Sequence, residues 1–217
     1  SFSGAIAGAG ALRLQDGQLS LSGTADHTGG TQVAGGQLSL AAANVLGTAG
    51  PLLLTAGVLD LGGQAQRSGA FTQDGGLLRH GSLNASAFAL NAGQVTAGLT
   101  GPGALTKAGA GELLLGGTHD FTGGTTVDLG TLRLAVGAVL PTSGAVTING
   151  GELALGGNSL ATGTFTLNGG TLADGSLLAS GFNLVEGTVS AQLAGSGALQ
   201  KTGGGTVLLS GPNSHTG

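Results

Sequence analysis

The side chains able to act as acids, bases or nucleophiles are sparse in this sequence. Among 217 residues there are ten acids, six lysines and arginines, four histidines and no cysteine. His119 precedes Asp120, and Asp26 precedes His27, so each pair could supply the base and carboxylate of a serine hydrolase. No G-x-S-x-G nucleophile turn accompanies them, and the similar segment 212–215 has no acid. The pattern therefore favours a chain without a catalytic residue.

The carboxylates do not form the group that polysaccharide-cleaving enzymes need. Glu112 and Glu152 share the context G-E-L, but the strand pattern described below puts them roughly 10 Å apart. We expect isolated, solvated acids. A β-helix polysaccharide-degrading enzyme stays open as an alternative, which three or more charged side chains converging in one groove would favour.

Metal, cofactor and nucleic-acid sites have little support. The lack of cysteine excludes thiolate ligands, and the glycine-rich segments lack the repeated aspartate of calcium-binding β-rolls. Segment 101–103, G-P-G, has the glycines of a phosphate loop, but strand alternation and not a helix follows it. A net charge of −4 gives no basic surface for nucleic acid, and no apolar run reaches the roughly 18 residues of a membrane span. We therefore expect no cofactor, no metal, no nucleic-acid partner and no membrane insertion by this segment.

Short strands separated by glycine turns are the elements that would position these side chains. Inward and outward residues alternate with period two, as in Ala145–Ile148 and Glu152–Leu155. Asn-Gly-Gly and Asp-Gly-Gly breaks supply the positive φ angles of tight turns. Asn149, Asn168 and Asp74 fall at the same kind of turn, where we expect a hydrogen-bonded ladder.

The strands recur about every 19 residues, and five such units make a longer repeat. Leu105 and Leu199 are 94 residues apart, as are Leu21 and Leu115. Copies of this longer repeat begin near residues 6, 99 and 193, and the last is cut short. The first inward aliphatic residues of the short units are assigned as Leu19, Leu38, Leu59, Leu77, Val95, Leu113, Leu132, Leu153, Leu172, Val189 and Val207.

This even spacing predicts an all-β fold, a right-handed parallel β-helix. An antiparallel sandwich would not hold the period through so many units and would need charged or proline-blocked edges. Crossovers between parallel strands are right-handed in nearly all cases. We expect about 11 coils of about 19 residues and, at about 4.8 Å per coil, a rod about 50 Å long. Because the sequence starts and stops inside repeats, we expect residues 1–217 to be a single β-helix fragment of a larger protein.

One motif of the longer repeat indicates a family. It reads G-x-G-x-L-x-K-x-G-x-G-x-L-x-L-x-G, followed by a polar loop, an aromatic residue and T-G-G-T. This motif resembles the passenger-associated transport repeat of bacterial autotransporter passengers. The matching residues that we single out as structural sites are Gly101, Gly103, Leu105, Lys107, Gly111, Leu113, Leu115, Phe121, Gly123, Gly124, Gly195, Gly197, Leu199, Lys201, Val207 and Leu209.

The copies of the motif differ at two positions. The first copy has Arg13 or Leu14 where the lysine is expected, and His27 where the aromatic residue is expected. In the third copy His215 takes the aromatic place. The family usually has a tyrosine there, so the sequence does not decide whether histidine makes the same ring contact in these two copies.

The resemblance implies a parallel β-helix exported by the type V route to the bacterial cell surface or secreted, with the outer-membrane anchor in a part not present here. We expect a structural or adhesive stalk of an autotransporter-like adhesin. Its expected partners are other copies of itself, end to end or side by side, and a host-surface molecule or glycan as ligand.

Two further binding surfaces are not expected. The six phenylalanines are too scattered for a sugar-stacking platform and fit core positions better. An ice- or surface-binding solenoid, the second alternative, needs threonine at one coil position on a flat face. Thr31, Thr125 and Thr126 occupy only one coil of each 94-residue unit, so the sequence predicts no threonine face.

Overall fold

The computed structural model describes all residues 1–217 and contains 27 strands and no helix. Strands pair in parallel with strands one turn earlier and one turn later in the chain. The chain thus winds as a parallel β-solenoid of about 11 turns with about 19 residues each, which confirms the expected fold. The right-handed sense of the winding stays a prediction. The structure offers no helix that is long and apolar enough to cross a membrane.

Each turn has three sides, called faces A, B and C in the order in which the chain passes through them. Face A consists of strands that bond in one unbroken order along the solenoid. These strands are β3 (Gln18–Leu21), β6 (Gln37–Leu40), β8 (Val58–Arg67), β10 (Leu77–Asn84), β12 (Gly93–Val95), β15 (Glu112–Leu115), β18 (Thr131–Leu134), β20 (Glu152–Ala154), β22 (Thr171–Ala173), β24 (Gly187–Val189) and β27 (Val207–Leu209).

Faces B and C complete each turn. Face B is the least regular and also includes the second halves of β8 and β10. Its own strands are β1 (Ile6–Gly8), β4 (Ala25–His27), β13 (Gly98–Gly101), β16 (Asp120–Phe121) and β25 (Gln192–Ala194). Face C contains β2 (Leu12–Leu14), β5 (Thr31–Val33), β7 (Leu52–Leu54), β9 (Ala70–Gln73), β11 (Ala87–Leu90), β14 (Leu105–Lys107), β17 (Thr125–Val127), β19 (Val146–Ile148), β21 (Ser159–Leu167), β23 (Ser176–Leu184) and β26 (Ala198–Lys201), of which β21 and β23 begin on face B.

A single apolar interior runs through the solenoid, because alternate residues of each strand point inward. Like side chains stack from one turn to the next, so Phe71 lies in register with Phe88, and Phe165 with Phe182. Five of the six phenylalanines are buried, and Phe2 is 43% exposed. The expectation that phenylalanine serves the core is confirmed for these five.

One inward position differs from the sequence assignment. Leu78, and not Leu77, is the buried residue in the face A half of β10, and it pairs with Leu59 before it and Val95 after it. The sequence does not show which of these two adjacent leucines points inward, because a period of two can begin at either of them.

The ladder of face A also slips by two residues at matching places in the long repeat. Val95 pairs with Leu115 where even spacing would give Leu113, and 94 residues later Val189 pairs with Leu209. A slip of two keeps inward side chains inward, whereas a slip of one would reverse them. The apolar pattern is therefore preserved.

Candidate functional site

The motif glycines at the corner between faces B and C let successive turns touch through backbone alone. Gly123 lies over Gly103 of the preceding turn, and a Cβ atom on Gly123 would come within 2.4 Å of the Ala104 nitrogen. Gly103 lies in turn over residues 85–87, where its Cβ would come within 2.8 Å of the Ala85 carbonyl oxygen. A side chain does not fit at such distances, so only glycine at these positions lets successive turns approach this closely.

The same contact recurs in the other two copies of the motif. A Cβ on Gly29 would come within 2.6 Å of the Gly10 carbonyl carbon, and one on Gly217 within 2.6 Å of the Gly197 carbonyl carbon. The two ends of the motif, G-x-G and T-G-G, therefore stack on each other one turn apart. This contact explains why the motif is longer than a single turn.

Other motif glycines shape the turns themselves. Gly101, Gly195 and Gly124 have φ angles of 99, 97 and 82 degrees, in the region that residues with a side chain avoid. Gly111 has a steric role instead, because its Cβ would come within 2.9 Å of the Ala92 Cβ.

Lys107 is fully buried although its side chain ends in an amine. Its Nζ donates to the carbonyl oxygen of Leu129 in the next turn at 2.9 Å and to that of Gly109 in its own turn. Burial lowers the pKa of this amine, because the charged form loses its hydration. The side chain ties two turns together at the corner between faces C and A.

The residues equivalent to Lys107 in the other two copies do not link successive turns. Lys201 is exposed and donates to the carbonyl oxygens of Thr202 and Gly203, both in its own turn, at 2.6 and 3.0 Å. In the first copy the register of face C puts Leu14 in the inward column, while Arg13 points outward. Of the two residues considered for this position, Leu14 is therefore the structural counterpart.

The aromatic position of the motif keeps its ring contact in the third copy, where histidine replaces phenylalanine. The Phe121 ring lies 5.8 Å from the Phe88 ring, and 94 residues later the His215 ring lies 5.9 Å from the Phe182 ring. Both pairs are tilted, an arrangement that aromatic rings favour.

The aliphatic motif residues divide by their place along the solenoid. Those of the central copy are fully buried, and those of the third copy are partly exposed around an open apolar hollow at one end. The first group is Leu105, Leu113 and Leu115, and the second is Leu199, Val207 and Leu209.

The His–Asp pairs do not come together. Adjacent residues of a strand point to opposite sides, so His119 is buried while Asp120 is exposed, and His27 is buried while Asp26 is exposed. The Leu99 backbone N–H donates to His119 Nδ1 at 3.2 Å. Burial lowers the pKa of His119 to about 4, so its ring is neutral at physiological pH.

The turn between faces C and A carries the expected side-chain ladder. Asn168 Nδ2 donates to Asn149 Oδ1 at 2.8 Å, and Asn149 Nδ2 donates to Asp128 Oδ1 at 2.7 Å. Earlier in the solenoid Asn91 Nδ2 donates to Asp74 Oδ1 at 2.7 Å. The ladder is confirmed, in two separate segments.

A charged cluster that the sequence reasoning missed lies at the corner between faces A and B. Asp60 accepts from Arg79 Nε at 2.9 Å, from the Gly62 backbone N–H at 3.0 Å and lies 3.2 Å from His80 Nδ1. Burial alone raises the pKa of Asp60, but the hydrogen bonds from Gly62, His80 and Arg79 outweigh it and leave the pKa below its ordinary value. The 19-residue spacing of Asp60 and Arg79, one short repeat, was the available signal.

This cluster brings three ionisable side chains together, but it does so around one carboxylate. Asp60, Arg79 and His80 line none of the three cavities of the structure. His80 has a φ of 53 degrees at an irregularity of the ladder, so the contacts support the shape of this corner. Nor do histidine, aspartate and glutamate form a group of three or more that could hold a metal ion.

Glu112 and Glu152 lie two turns apart in the same column, with Thr131 between them, as the sequence predicts. Glu112 faces Arg133 of the next turn, with 3.5 Å between its Oε1 and the arginine Nε. Both side chains of this pair are well exposed, so the contact contributes little to stability.

The expectation that no threonine face forms is wrong. Thr106, Thr126, Thr147 and Thr166 occupy the same outward position in four successive turns of face C. They are called the threonine column below. Their signal in the sequence is a threonine between two inward residues in LTK, TTV, VTI and FTL, which comparison of the 94-residue copies alone does not reveal.

Comparison with known families agrees with the motif geometry. The family described as passenger-associated-transport-repeat matches residues 7–40, 105–134 and 199–217. The chain carries this repeat in three copies. The autotransporter passenger expected from the motif is thereby confirmed, and the family implies a cell-surface or secreted location. No curated protein and no solved structure matches the passenger chain significantly.

Proposed function

We propose that this passenger chain is a section of a stiff, non-catalytic stalk in an adhesin that is anchored to the bacterial outer membrane. The observation that carries the proposal is the unbroken ladder of face A, which runs from β3 to β27 without interruption. Each interior turn is hydrogen-bonded to the turns on both sides of it, and one apolar cluster fills the centre. Such a chain resists bending and leaves little free backbone for proteases.

The mechanism of the stalk is stacking. About 11 turns at about 4.8 Å each extend about 50 Å. In a solenoid each repeat contacts only its neighbours, so added turns lengthen the rod and leave its cross-section unchanged. The glycine contact and Lys107, which join one turn to the next, suit this role.

Surface display is tested by protease treatment of intact source cells, with released peptides identified by mass spectrometry. We expect peptides of this chain from unbroken cells, at a lower yield than from a less compact surface protein because the stacked turns slow the protease. A cytoplasmic protein measured in parallel controls for lysis. Recovery of the peptides only after lysis would contradict the proposal.

Association with other copies, end to end or side by side, is the second part of the proposal. Leu129 and Val136 are 55% and 91% exposed, and the low charge of the chain leaves little repulsion between rods. Burying these side chains in a lateral contact removes apolar surface from water. Light scattering should show growing mass with concentration, reduced by Leu129→Lys with Val136→Lys; a strict monomer at high concentration would contradict it.

The adhesive ligand in this proposal is a host-surface molecule or a glycan. Binding of the purified chain to host cells, before and after enzymatic removal of surface glycans, separates the two. Binding that survives the treatment favours a protein ligand. Equal signals from the chain and from an unrelated protein would contradict an adhesive role for this section.

A further inference from the structure

The threonine column offers hydroxyl groups that the protein itself does not use. Thr106, Thr126, Thr147 and Thr166 make no side-chain hydrogen bond within the structure and are partly exposed. The outward Thr131 and Thr171 of face A make no side-chain hydrogen bond either, but Glu152 lies between them in the ladder, so they form no continuous row. The column is therefore a row of free donors and acceptors, one in each of four successive turns.

The outward side chains on both sides of the column are short, and Asp128 is the one among them that can carry a charge. Two residues before the column lies a parallel outward column of small residues, in which Ala87, Ala104 and Ala145 are exposed. On the other side lies the Asp128, Asn149 and Asn168 ladder, whose side chains are held by their mutual hydrogen bonds. No long side chain rises between these columns.

The spacing of the hydroxyls is set by the backbone. Parallel pairing fixes successive threonines at about 4.8 Å from each other. Threonine is branched at Cβ, so its χ1 angle has few alternatives on a strand and little side-chain entropy remains to be lost on binding. The methyl and hydroxyl groups of the column thus form a regular, rigid array.

A regular row of uncharged hydroxyls and methyls fits a periodic, uncharged ligand. Polyanions are disfavoured because Lys107, the one cationic side chain of the column's turns on face C, is fully buried. Sugar chains generally bind against aromatic rings, and the buried phenylalanines of face C all point inward. A protein partner would have to match every buried hydroxyl with a hydrogen bond or leave it unsatisfied at a cost. Water in a lattice offers a partner to each hydroxyl at a regular spacing.

We propose that face C adsorbs to ice through the threonine column, with the hydroxyls and methyls ordering a layer of water that merges with the crystal. The neighbouring alanine column widens the flat area and adds no competing charge. This activity does not depend on the stalk proposal, because it requires only the folded chain.

The test is ice recrystallisation inhibition and partition into a slowly grown ice hemisphere, with the purified full chain. Thr147→Tyr places a bulky ring in the middle of the column, and tyrosine is favourable on strands, so the fold should persist. Thr171→Tyr is the matched control, since Thr171 is an outward threonine in the face A ladder. We expect the wild type and Thr171→Tyr to enter the ice and inhibit recrystallisation, and Thr147→Tyr to lose both effects.

A second pair of variants protects the test against a folding defect. Thr126→Lys with Thr147→Lys adds charge to the column, and Thr131→Lys with Thr171→Lys adds it to face A. Circular dichroism melting establishes that each variant is folded before it is compared. A wild-type chain that is excluded from ice like serum albumin, or a loss of activity that is equal on both faces, would overturn the proposal.

Discussion

At the scale of single residues, Lys107 shows how an amine is accommodated in an apolar interior. The stem fills the inward column between Leu90 and Val127, while the Nζ reaches the carbonyls of Gly109 and Leu129 at the corner. A buried charge is tolerated only when hydrogen bonds replace its hydration. Lys107 therefore links two successive turns.

Lys107→Ala should lower the free energy of unfolding by about 2–4 kcal/mol, because it opens a cavity in the apolar interior and removes the hydrogen-bond donor from the Gly109 and Leu129 carbonyls. Lys201→Ala is the control, since Lys201 is exposed and bonds only within its own turn. Its cost should stay within about 0.5 kcal/mol. Chemical denaturation of both variants measures the difference, and equal costs would refute the contact between turns.

His119 predicts a particular dependence of stability on pH. Its pKa is lowered from 6.5 to about 4 by burial, so the unfolded chain takes up a proton on acidification before the folded chain does. Stability should therefore fall as the pH drops from about 6.5 to about 4, by at most about 3 kcal/mol from this residue. Below that range its contribution stays constant.

His119→Leu isolates this effect. Leucine occupies the neighbouring positions Leu99 and Leu140 of the same face, so the substitution suits the site. The difference in unfolding free energy between pH 7 and pH 4 should shrink in the variant. An unchanged difference would show that other groups, such as Asp60, account for acid sensitivity.

At the scale of elements, the corner between faces B and C depends on glycine meeting backbone. Gly103→Ala should destabilise the fold by about 1–3 kcal/mol, because its Cβ would press on the Ala85 carbonyl and residues 86–87 of the preceding turn. Gly10→Ala is the matched control at the same motif position, where a Cβ has nothing within 4 Å. Thermal melts that fall equally for both variants would contradict the steric argument.

The strands and their spacing could be predicted from sequence, because inward and outward residues alternate within consecutive residues of each strand. Apart from the Asn149–Asn168 ladder, specific contacts between turns could not be predicted, because the partners lie about 20 residues apart and the steps vary. The sequence does not show the pairing between turns, so it does not distinguish Leu78 from Leu77 as the inward residue of β10. The threonine column escaped notice for the same reason, although each of its four threonines sits in an ordinary alternating strand.

The motif positions were found from sequence, but their roles were not. The spacing of Gly103 and Gly123 in the sequence does not show that Gly123 lies over Gly103, because this depends on the exact length of the turn. The choice between Arg13 and Leu14 likewise required the register of face C. The Asp60 cluster is not evident from the sequence, because its arginine and histidine lie one turn away from the carboxylate.

At the scale of the whole molecule, the solenoid has no element that depends on a distant part of the chain. Each turn packs on its neighbours through the same backbone ladder, so stability accumulates turn by turn. The charged fraction of 7% suits this arrangement, since alternate residues of every strand fill one apolar interior that leaves no place for unpaired charge. Such a chain supports a modular stalk whose length follows from the number of repeats.

The most direct test of this account is the length of the molecule when repeats are added. Chains with one or two further copies of residues 99–192 inserted after residue 192 can be compared by small-angle X-ray scattering. Five turns per copy should lengthen the rod by about 24 Å each time, with an unchanged cross-sectional radius. A thicker particle, or a length that does not rise in equal steps, would contradict the stacked solenoid.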